Sequence, residues 1–100
     1  MGSVKRATPK QASVLMQPKV SKLIHELRQL TKLTQVQLAK ALGVSYETIN
    51  RWENGHIQPS PLALKQIRSF VNELSLSSSK AVQNGSKQLL ALYFAEQGQE

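Results

Sequence analysis

Two short helices that meet at a glycine are the feature of this sequence that most limits its fold. Thr34 is a good N-cap, and Gln37 three residues later completes a capping box, which predicts a helix start. Gly43 ends that helix, because glycine readily adopts the left-handed conformation found just past many helices. Ser45 offers a second N-cap, and Asn54-Gly55 ends the second helix. The sequence therefore predicts two helices separated by a three-residue turn.

The apolar residues of these two helices predict one shared core. Those that turn inward are Leu38, Leu42, Val44, Ile49 and Trp52. Ala39 falls where the helices would cross, and its small side chain allows them to approach closely. Only Ile49 and Trp52 anchor the second helix, so the rest of its surface is polar and free. Such a pair is a candidate helix-turn-helix. Because Trp52 lies on the inward face, we interpret it as a core residue and not as one that stacks on a base.

Further helices flank this pair on both sides. The apolar residues before it recur at helical spacing, at Val20, Leu23, Ile24, Leu27 and Leu30. After it, Ser60-Pro61 combines an N-cap with a proline at the first helical position, which begins a helix that is apolar on one face as far as Leu74. We predict a compact all-α fold, a bundle of four or five helices.

The end of the chain is harder to interpret. The serine-rich segment 75–80 predicts a pause in the fold, and Asn84-Gly85 predicts a turn. The apolar cluster Leu89–Phe94 is a short helix or a strand, and periodicity does not decide between them. It could serve as a dimer element or pack on the core of its own chain.

Positive charge is concentrated at the start of the chain. The formal net charge is +7, and residues 1–20 hold no acid, while their basic residues are Lys5, Arg6, Lys10 and Lys19. Such a run favours a polyanion partner, because each neutralised phosphate releases counterions, although it can also merely serve solubility. We predict a flexible basic arm over residues 1–18, a helix-turn-helix domain over 19–76, and a linker with a short tail element over 77–100.

Several classes of function are disfavoured by what the sequence lacks. There is no cysteine, which excludes disulfides, thiolate metal sites and a cysteine nucleophile. His25 and His56 do not stand at metal-ligand spacing, and no serine lies in a nucleophile pattern. No apolar run approaches the roughly 20 residues that span a bilayer, and the first residues lack the apolar stretch that a signal peptide has. We expect no catalysis, no cofactor, no metal, no membrane association and a cytoplasmic location.

A family resemblance rests on residues 33–55, which read LTQVQLAKALGVSYETINRWENG. This run closely resembles the Cro/repressor-type (XRE-like) helix-turn-helix. The resemblance extends upstream to Leu27-Arg28 and downstream to Pro59-Ser60-Pro61-Leu62, so that it covers about residues 20–75. It implies a lambda-repressor-like helical bundle that binds double-stranded DNA. Its second and third helices would form the unit that reads DNA.

The resemblance also implies which residues read bases. The positions that match Tyr46, Glu47 and Arg51 project into the major groove, with Asn50 beside them. Arg51 can donate a bidentate pair to guanine, and Glu47 can accept from the amino group of cytosine. Tyr46 offers its ring to a thymine methyl, and Asn50 suits adenine. Glu47 has an alternative interpretation, as an exposed carboxylate that favours the helix dipole.

Phosphate contacts are implied by the same resemblance. The residue that matches Gln35 contacts a phosphate at the start of the second helix, where free backbone N–H groups also favour anions. The full set of expected phosphate contacts is Thr34, Gln35, Ser45, Thr48, Asn54 and His56. His56 is alternatively only a loop residue. Arg28 and Glu53 match a pair that forms a structural salt bridge in the family.

The leading hypothesis is a sequence-specific transcription regulator of duplex DNA, a repressor in preference to an activator, that pairs as a homodimer on two half-sites. The alternative is a protein-interaction module, such as an antitoxin or a transcription adaptor, with a protein partner bound through the tail. The polar face that holds Tyr46 and Arg51 favours the first. We also expect Lys5, Arg6 and Lys10 to contact phosphates or a minor groove.

Overall fold

Five α-helices follow one another in residues 15–98, the part of the chain that the computed structural model describes. They are α1 (Lys19–Thr31), α2 (Gln35–Leu42), α3 (Tyr46–Glu53), α4 (Pro61–Leu74) and α5 (Lys80–Gly98). Residues 15–98 contain no strand. The predicted all-α bundle of four or five helices is confirmed.

Local capping chemistry sets the ends of α2 and α3. The Thr34 hydroxyl accepts from the Gln37 backbone N–H at 3.0 Å, and the Gln37 side chain accepts from the Thr34 N–H at 2.9 Å, which completes the predicted capping box. Gly43 follows α2 with φ +74°, a conformation that costs other residues about 1 kcal/mol. The Ser45 hydroxyl then accepts from the Thr48 N–H at 3.1 Å and begins α3. These three predictions are confirmed.

The core is built around α1, which packs against both α3 and α5, while α2 packs against α3 and α4. The buried side chains of α1 are Val20, Leu23, Ile24 and Leu27. Ile49 and Trp52 of α3 are also buried, which confirms Trp52 as a core residue. Because burial of each large apolar side chain contributes about 1.5–3 kcal/mol, this contact holds α3 firmly on α1.

The cluster at the end of the chain is part of this core. Residues 80–98 form the long helix α5, which packs on α1 and α4 and buries Leu89 and Phe94. The sequence left open whether the cluster Leu89–Phe94 is a helix or a strand, and in the structure it is helical. The predicted pause at residues 75–80 is the connection between α4 and α5.

The predicted turn at Asn84-Gly85 is wrong, because both residues lie inside α5. The glycine instead leaves room for a side chain of α1. A Cβ on Gly85 would lie 3.1 Å from Cδ2 of Leu30, 3.3 Å from its Cγ and still nearer to its Cδ1. Glycine at this position therefore lets α5 approach α1 closely. Its presence in the sequence reflects this contact between helices and not a turn.

Residues 15–18, which fall at the end of the predicted arm, contact the rest of the domain. Leu15 is only 6% exposed and joins the core, and Gln17 is hydrogen-bonded to the segment after α3. Burial of this apolar side chain explains why the packing of the domain extends ahead of Lys19. Lys5, Arg6 and Lys10 lie outside the described residues. The predicted division into arm, domain and tail stays a prediction.

Candidate nucleic-acid interface

One face of α3 carries exposed polar side chains while the other is buried. Tyr46, Glu47 and Arg51 are exposed, whereas Ile49 and Trp52 lie in the core. Glu47 and Arg51 are four residues apart and so neighbour each other on the helix surface. An eight-residue helix with this division can present the side chains of its outer face together to a surface or groove.

The carboxylate of Glu53 ties this helix to α1. Nη1 of Arg28 donates to both Glu53 oxygens at 3.0 Å, and Nε of Arg28 donates to the backbone oxygen of Leu33 at 3.1 Å. Nδ1 of His25 lies 3.0 Å from the second oxygen of Glu53. The salt bridge that the resemblance implied between Arg28 and Glu53 is therefore present. It fixes the last residue of α3 against α1.

A row of side-chain amides continues from the same carboxylate. Nε2 of Gln35 donates to Oε1 of Glu53 at 2.8 Å, and Oε1 of Gln35 accepts from Nδ2 of Asn50 at 3.3 Å. Oδ1 of Asn50 in turn accepts from Nδ2 of Asn54 at 3.1 Å. Because a carboxylate only accepts, it orients the Gln35 amide, which orients Asn50. We call Glu53, Arg28, His25, Gln35 and Asn50 the Glu53 network.

This network brings together two residues that the resemblance assigned to DNA, Gln35 and Asn50. Both are half-buried, and each amide nitrogen keeps a second N–H beyond the one used in the network. Reasoning from sequence missed their contact with each other, and it missed His25. No local spacing links these residues, since α2, α3 and α1 each supply part of the network.

Glu53 stays charged within this network. Partial burial alone would raise the pKa of its carboxyl, but hydrogen bonds from Gln35, His25 and Arg28, together with the charge of Arg28, outweigh burial and lower that pKa below its usual value. The positive charge of Arg28 therefore remains paired with a carboxylate at neutral pH. A salt bridge of this kind positions α3 without leaving an unpaired negative charge beside it.

The expected phosphate contacts lie at helix ends. Thr34 and Ser45 use their hydroxyl oxygens as caps of α2 and α3, and the hydroxyls of Ser45 and Thr48 are 2.9 Å apart. A hydroxyl that accepts as a cap can still donate its proton to an anion. Asn54 and His56 are exposed beyond the last residue of α3. The side chains of Thr34, Ser45 and Thr48 therefore surround the start of the two helices, while Asn54 and His56 lie at the other end of α3.

Two further properties of residues 15–98 bear on function. None of these helices is long and apolar enough to cross a membrane. In the same residues, no three or more histidine, aspartate or glutamate side chains are grouped so that they could hold a metal ion.

Comparison with known proteins gives one match. The family model described as helix-turn-helix matches residues 24–77, more than half of the chain. No curated protein and no solved structure matches the chain significantly. The matched residues include α2, α3 and the salt bridge between Arg28 and Glu53.

Proposed function

The chain belongs to the Cro/repressor-type helix-turn-helix family of DNA-binding regulators, and we propose that it is a sequence-specific repressor that reads the major groove with α3. The observation that carries this proposal is the division of α3 into two faces. Tyr46, Glu47 and Arg51 are exposed together, while Ile49 and Trp52 are buried. An α-helix fits the major groove, and there its outward side chains reach the base edges.

Each exposed side chain of α3 suits a different base. Arg51 is proposed to donate to N7 and O6 of a guanine, a pair that discriminates against a wrong base by about 1–3 kcal/mol. Glu47 is proposed to accept from a cytosine amino group, since an ionised carboxylate has no proton to donate. Tyr46 is proposed to contact a thymine methyl with its ring. The second N–H of Asn50 is proposed to face an adenine.

Phosphate contacts would hold α3 in register. We propose Thr34 and Gln35 at the start of α2, and Ser45 and Thr48 at the start of α3, as contacts to one strand. Of the Ser45 and Thr48 hydroxyls, which are hydrogen-bonded to each other, one donates to its partner and the other to the phosphate. Asn54 and His56 would contact the backbone past the end of α3. Such contacts position a protein on the duplex and carry no sequence information by themselves.

A homodimer is the proposed assembly on DNA, because one short helix reads only a few base pairs and half-sites lie about one helical turn apart. Repression is the proposed sign of regulation, since a protein seated on an operator blocks other proteins from the same DNA. Its proposed location is the cytoplasm, on the nucleoid.

Selection from a random duplex library at about 150 mM salt, where the purely electrostatic contribution is weakened, tests this proposal. Wild type, Arg51→Ala and the control Lys80→Ala, which removes a cation from α5, are selected in parallel. We expect a two-fold-symmetric site in wild type and control, with one position of each half-site relaxed in Arg51→Ala. Absence of any enriched sequence in wild type would reject sequence-specific reading. An enriched site unchanged by Arg51→Ala would reject the role of Arg51.

A second candidate function is a protein-interaction module, with the partner bound through the tail. The observation that favours it is the exposure of two large apolar side chains, Leu76 at 83% and Leu92 at 70%. Loss of partner binding on substitution of Leu92, in a protein that selects no DNA, would support this candidate.

A further inference from the structure

The side-chain amides of Gln35, Asn50 and Asn54 are hydrogen-bonded in one direction. Nδ2 of Asn54 donates to Asn50 at 3.1 Å, and Nδ2 of Asn50 donates to Gln35 at 3.3 Å. Nε2 of Gln35 then donates to Glu53 at 2.8 Å. We call these three amides the amide row. Gln35 and Asn50 each turn the nitrogen toward Glu53 and the oxygen away from it.

The direction of the row is set at its Glu53 end. An amide group has a donor and an acceptor, so Gln35 and Asn50 could exchange nitrogen for oxygen and still bond to each other. Glu53 removes this freedom, because its carboxyl is ionised at neutral pH and can only accept. A reversed Gln35 would place its oxygen against a carboxylate oxygen, and two acceptors at hydrogen-bond distance repel.

The other end of the row does not oppose this choice. Asn54 is exposed and is itself an amide, so it can offer either its nitrogen or its oxygen to Asn50. Asn54 therefore adapts to the direction of the row, whereas Glu53 sets it. Arg28 keeps the carboxylate in place, since its Nη1 donates to both oxygens at 3.0 Å.

The direction of the row decides which atoms Asn50 has left for DNA. One of its N–H groups goes to Gln35 and one lone pair of its oxygen goes to Asn54, so one N–H and one lone pair remain. Adenine uses both in a bidentate pair, because its N7 accepts and its N6 amino group donates. A reversed Asn50 would turn its oxygen toward N7 and its nitrogen toward the amino group, and both contacts would be lost.

Asn50 is well placed for such a pair. It lies one turn of α3 from Tyr46 and Glu47, so it borders the exposed face of this helix. It is itself half-buried and bonded on both sides, which limits its own rotation. The direction of its amide is therefore set by its neighbours before any DNA is bound.

We propose that Glu53 determines the base that Asn50 selects, because its carboxylate, acting through Gln35, holds the Asn50 amide in the direction that pairs with adenine. Glu53 is a positioning residue, since it acts on the base through two amides. The inference rests on the proposed function, because it needs α3 in the major groove with Asn50 at a base edge.

Exchange of the ion pair tests this inference. Arg28→Glu/Glu53→Lys restores a salt bridge between α1 and α3 with the charges exchanged and the net charge unchanged. The ammonium group at position 53 only donates, so Gln35 must turn its oxygen toward it and the row reverses. Arg28→Lys is the matched control, because it also removes the guanidinium group but leaves the carboxylate as the acceptor.

Two measurements are made on each protein. In the free protein, nuclear Overhauser effects between the amide protons of Asn50 and its neighbours give the direction of the row. Fluorescence anisotropy then gives dissociation constants on duplexes of about 30 base pairs that carry the site selected by wild type. Selections with Asn50→Ala and Arg51→Ala locate the base pair of each residue, and the duplexes vary only there.

The expected effect is confined to one base pair. Wild type and Arg28→Lys should prefer adenine at the Asn50 position by about 5- to 150-fold, the range of a good bidentate pair. Arg28→Glu/Glu53→Lys should lose this preference and keep the wild-type preference at the Arg51 position. Its Asn50 amide protons should lie next to Asn54, whereas those of wild type lie next to Gln35.

Several outcomes would overturn the inference. A reversed row that still prefers adenine shows that direction does not set base choice, and an unreversed row shows that Glu53 does not set direction. Equal losses at both base pairs show only that α3 has moved. Loss of the adenine preference in Arg28→Lys shows that the guanidinium matters and the acceptor does not. A site in which Asn50→Ala relaxes no position shows that Asn50 reads no base.

Failure of the proposed function looks different, because wild type then selects no sequence at all and the inference falls with it. A selected site with unchanged adenine preference in the reversed variant rejects the inference alone. If Arg28→Glu/Glu53→Lys does not fold, Glu53→Met replaces it, since it removes the acceptor and adds no donor. It should weaken the preference for adenine and leave that at the Arg51 position, and an unchanged adenine preference would overturn the inference.

Discussion

The side-chain amide of Gln35 donates to the carboxylate of Glu53 across 2.8 Å, which joins the first residue of α2 to the last residue of α3. Nη1 of Arg28 in α1 donates to both oxygens of the same carboxylate. Three helices therefore meet at one half-buried negative charge. The orientation of α3 on the bundle depends on that charge as well as on the buried side chains of Ile49 and Trp52.

Substitution of this carboxylate is expected to destabilise the fold. Glu53→Gln removes charge-assisted hydrogen bonds and leaves Arg28 without its counter-ion, which costs about 1–3 kcal/mol of unfolding free energy. Glu47→Gln, at an exposed position of the same helix, is the matched control and should change stability by less than about 0.5 kcal/mol. Urea denaturation followed by circular dichroism measures both. Equal effects of the two substitutions would argue against the Glu53 network.

The contribution of Glu53 should also depend on pH. Its pKa is lower in the folded protein than in the unfolded chain, so the contribution is fully present above the unfolded-state pKa, about 4.3, and is lost as the pH falls through the lower folded-state pKa. We expect the stability difference between wild type and Glu53→Gln to be largest near neutral pH and to shrink below about pH 4. Urea denaturation of both proteins at a series of pH values measures it. A difference that stays constant down to pH 3 would contradict the lowered pKa.

DNA binding should show that Gln35 and Asn50 act together. Because Asn50 donates to Gln35, each alanine substitution disturbs the partner as well. In a double-mutant cycle on the selected duplex, we expect a coupling of about 0.5 kcal/mol or more between Gln35→Ala and Asn50→Ala. Gln35→Ala with Glu47→Ala provides the uncoupled control. If the effects of Gln35→Ala and Asn50→Ala on the binding free energy simply add, the two amides contact DNA independently.

The parts of this fold that the sequence predicts are those decided by near neighbours. The caps at Thr34 and Ser45 and the stop at Gly43 each depend on residues within one turn, and the structure has all three. The salt bridge between Arg28 and Glu53 needed the family resemblance, because its partners are far apart in the chain. The roles of the proposed DNA-contacting residues stay predictions.

Contacts between distant segments escaped prediction. Gly85 beside asparagine has the local signature of a turn, and only Leu30 on another helix shows why glycine is required there. Gln17 and Gln58 stand in no sequence pattern that would reveal the hydrogen bond between them, since amide side chains of this kind are common on surfaces. The secondary structure of Leu89–Phe94 was ambiguous for the same reason, because this segment is stabilised by packing on α1 and α4, which are distant in sequence.

Gly85→Ala should lower the unfolding free energy in wild type and raise it in the Leu30→Ala variant. In wild type the new methyl group meets Leu30, an overpacking cost of about 1–3 kcal/mol that exceeds the gain of up to about 1 kcal/mol from better helix propensity. In the Leu30→Ala background the clash is gone, and the same substitution should stabilise the fold by up to about 1 kcal/mol. Thermal unfolding of the four proteins measures this cycle. The same sign in both backgrounds would contradict the close approach of α5 to α1.

The packing of α5 predicts different effects at two of its leucines. Leu89→Ala removes a buried side chain and should lower the unfolding free energy by about 2–5 kcal/mol, whereas Leu92→Ala, at a 70% exposed position, should change it by less than about 0.5 kcal/mol. Denaturant unfolding at low protein concentration separates this from any effect of dimerisation. A large decrease in unfolding free energy on Leu92→Ala under those conditions would contradict the exposed position of Leu92 on α5.

The inclusion of α5 in the core has a consequence for the exchange of DNA specificity between proteins of this kind. The family match spans residues 24–77, yet Val20 precedes it, Leu89 and Phe94 follow it, and all three are buried in the same core. A transplant limited to the matched segment would carry the proposed DNA-reading surface of α3 but omit part of the core on which α3 packs. If Tyr46, Glu47 and Arg51 read bases as proposed, specificity is better transferred by substitution of these exposed side chains one at a time, because the buried residues of the host protein then remain unchanged.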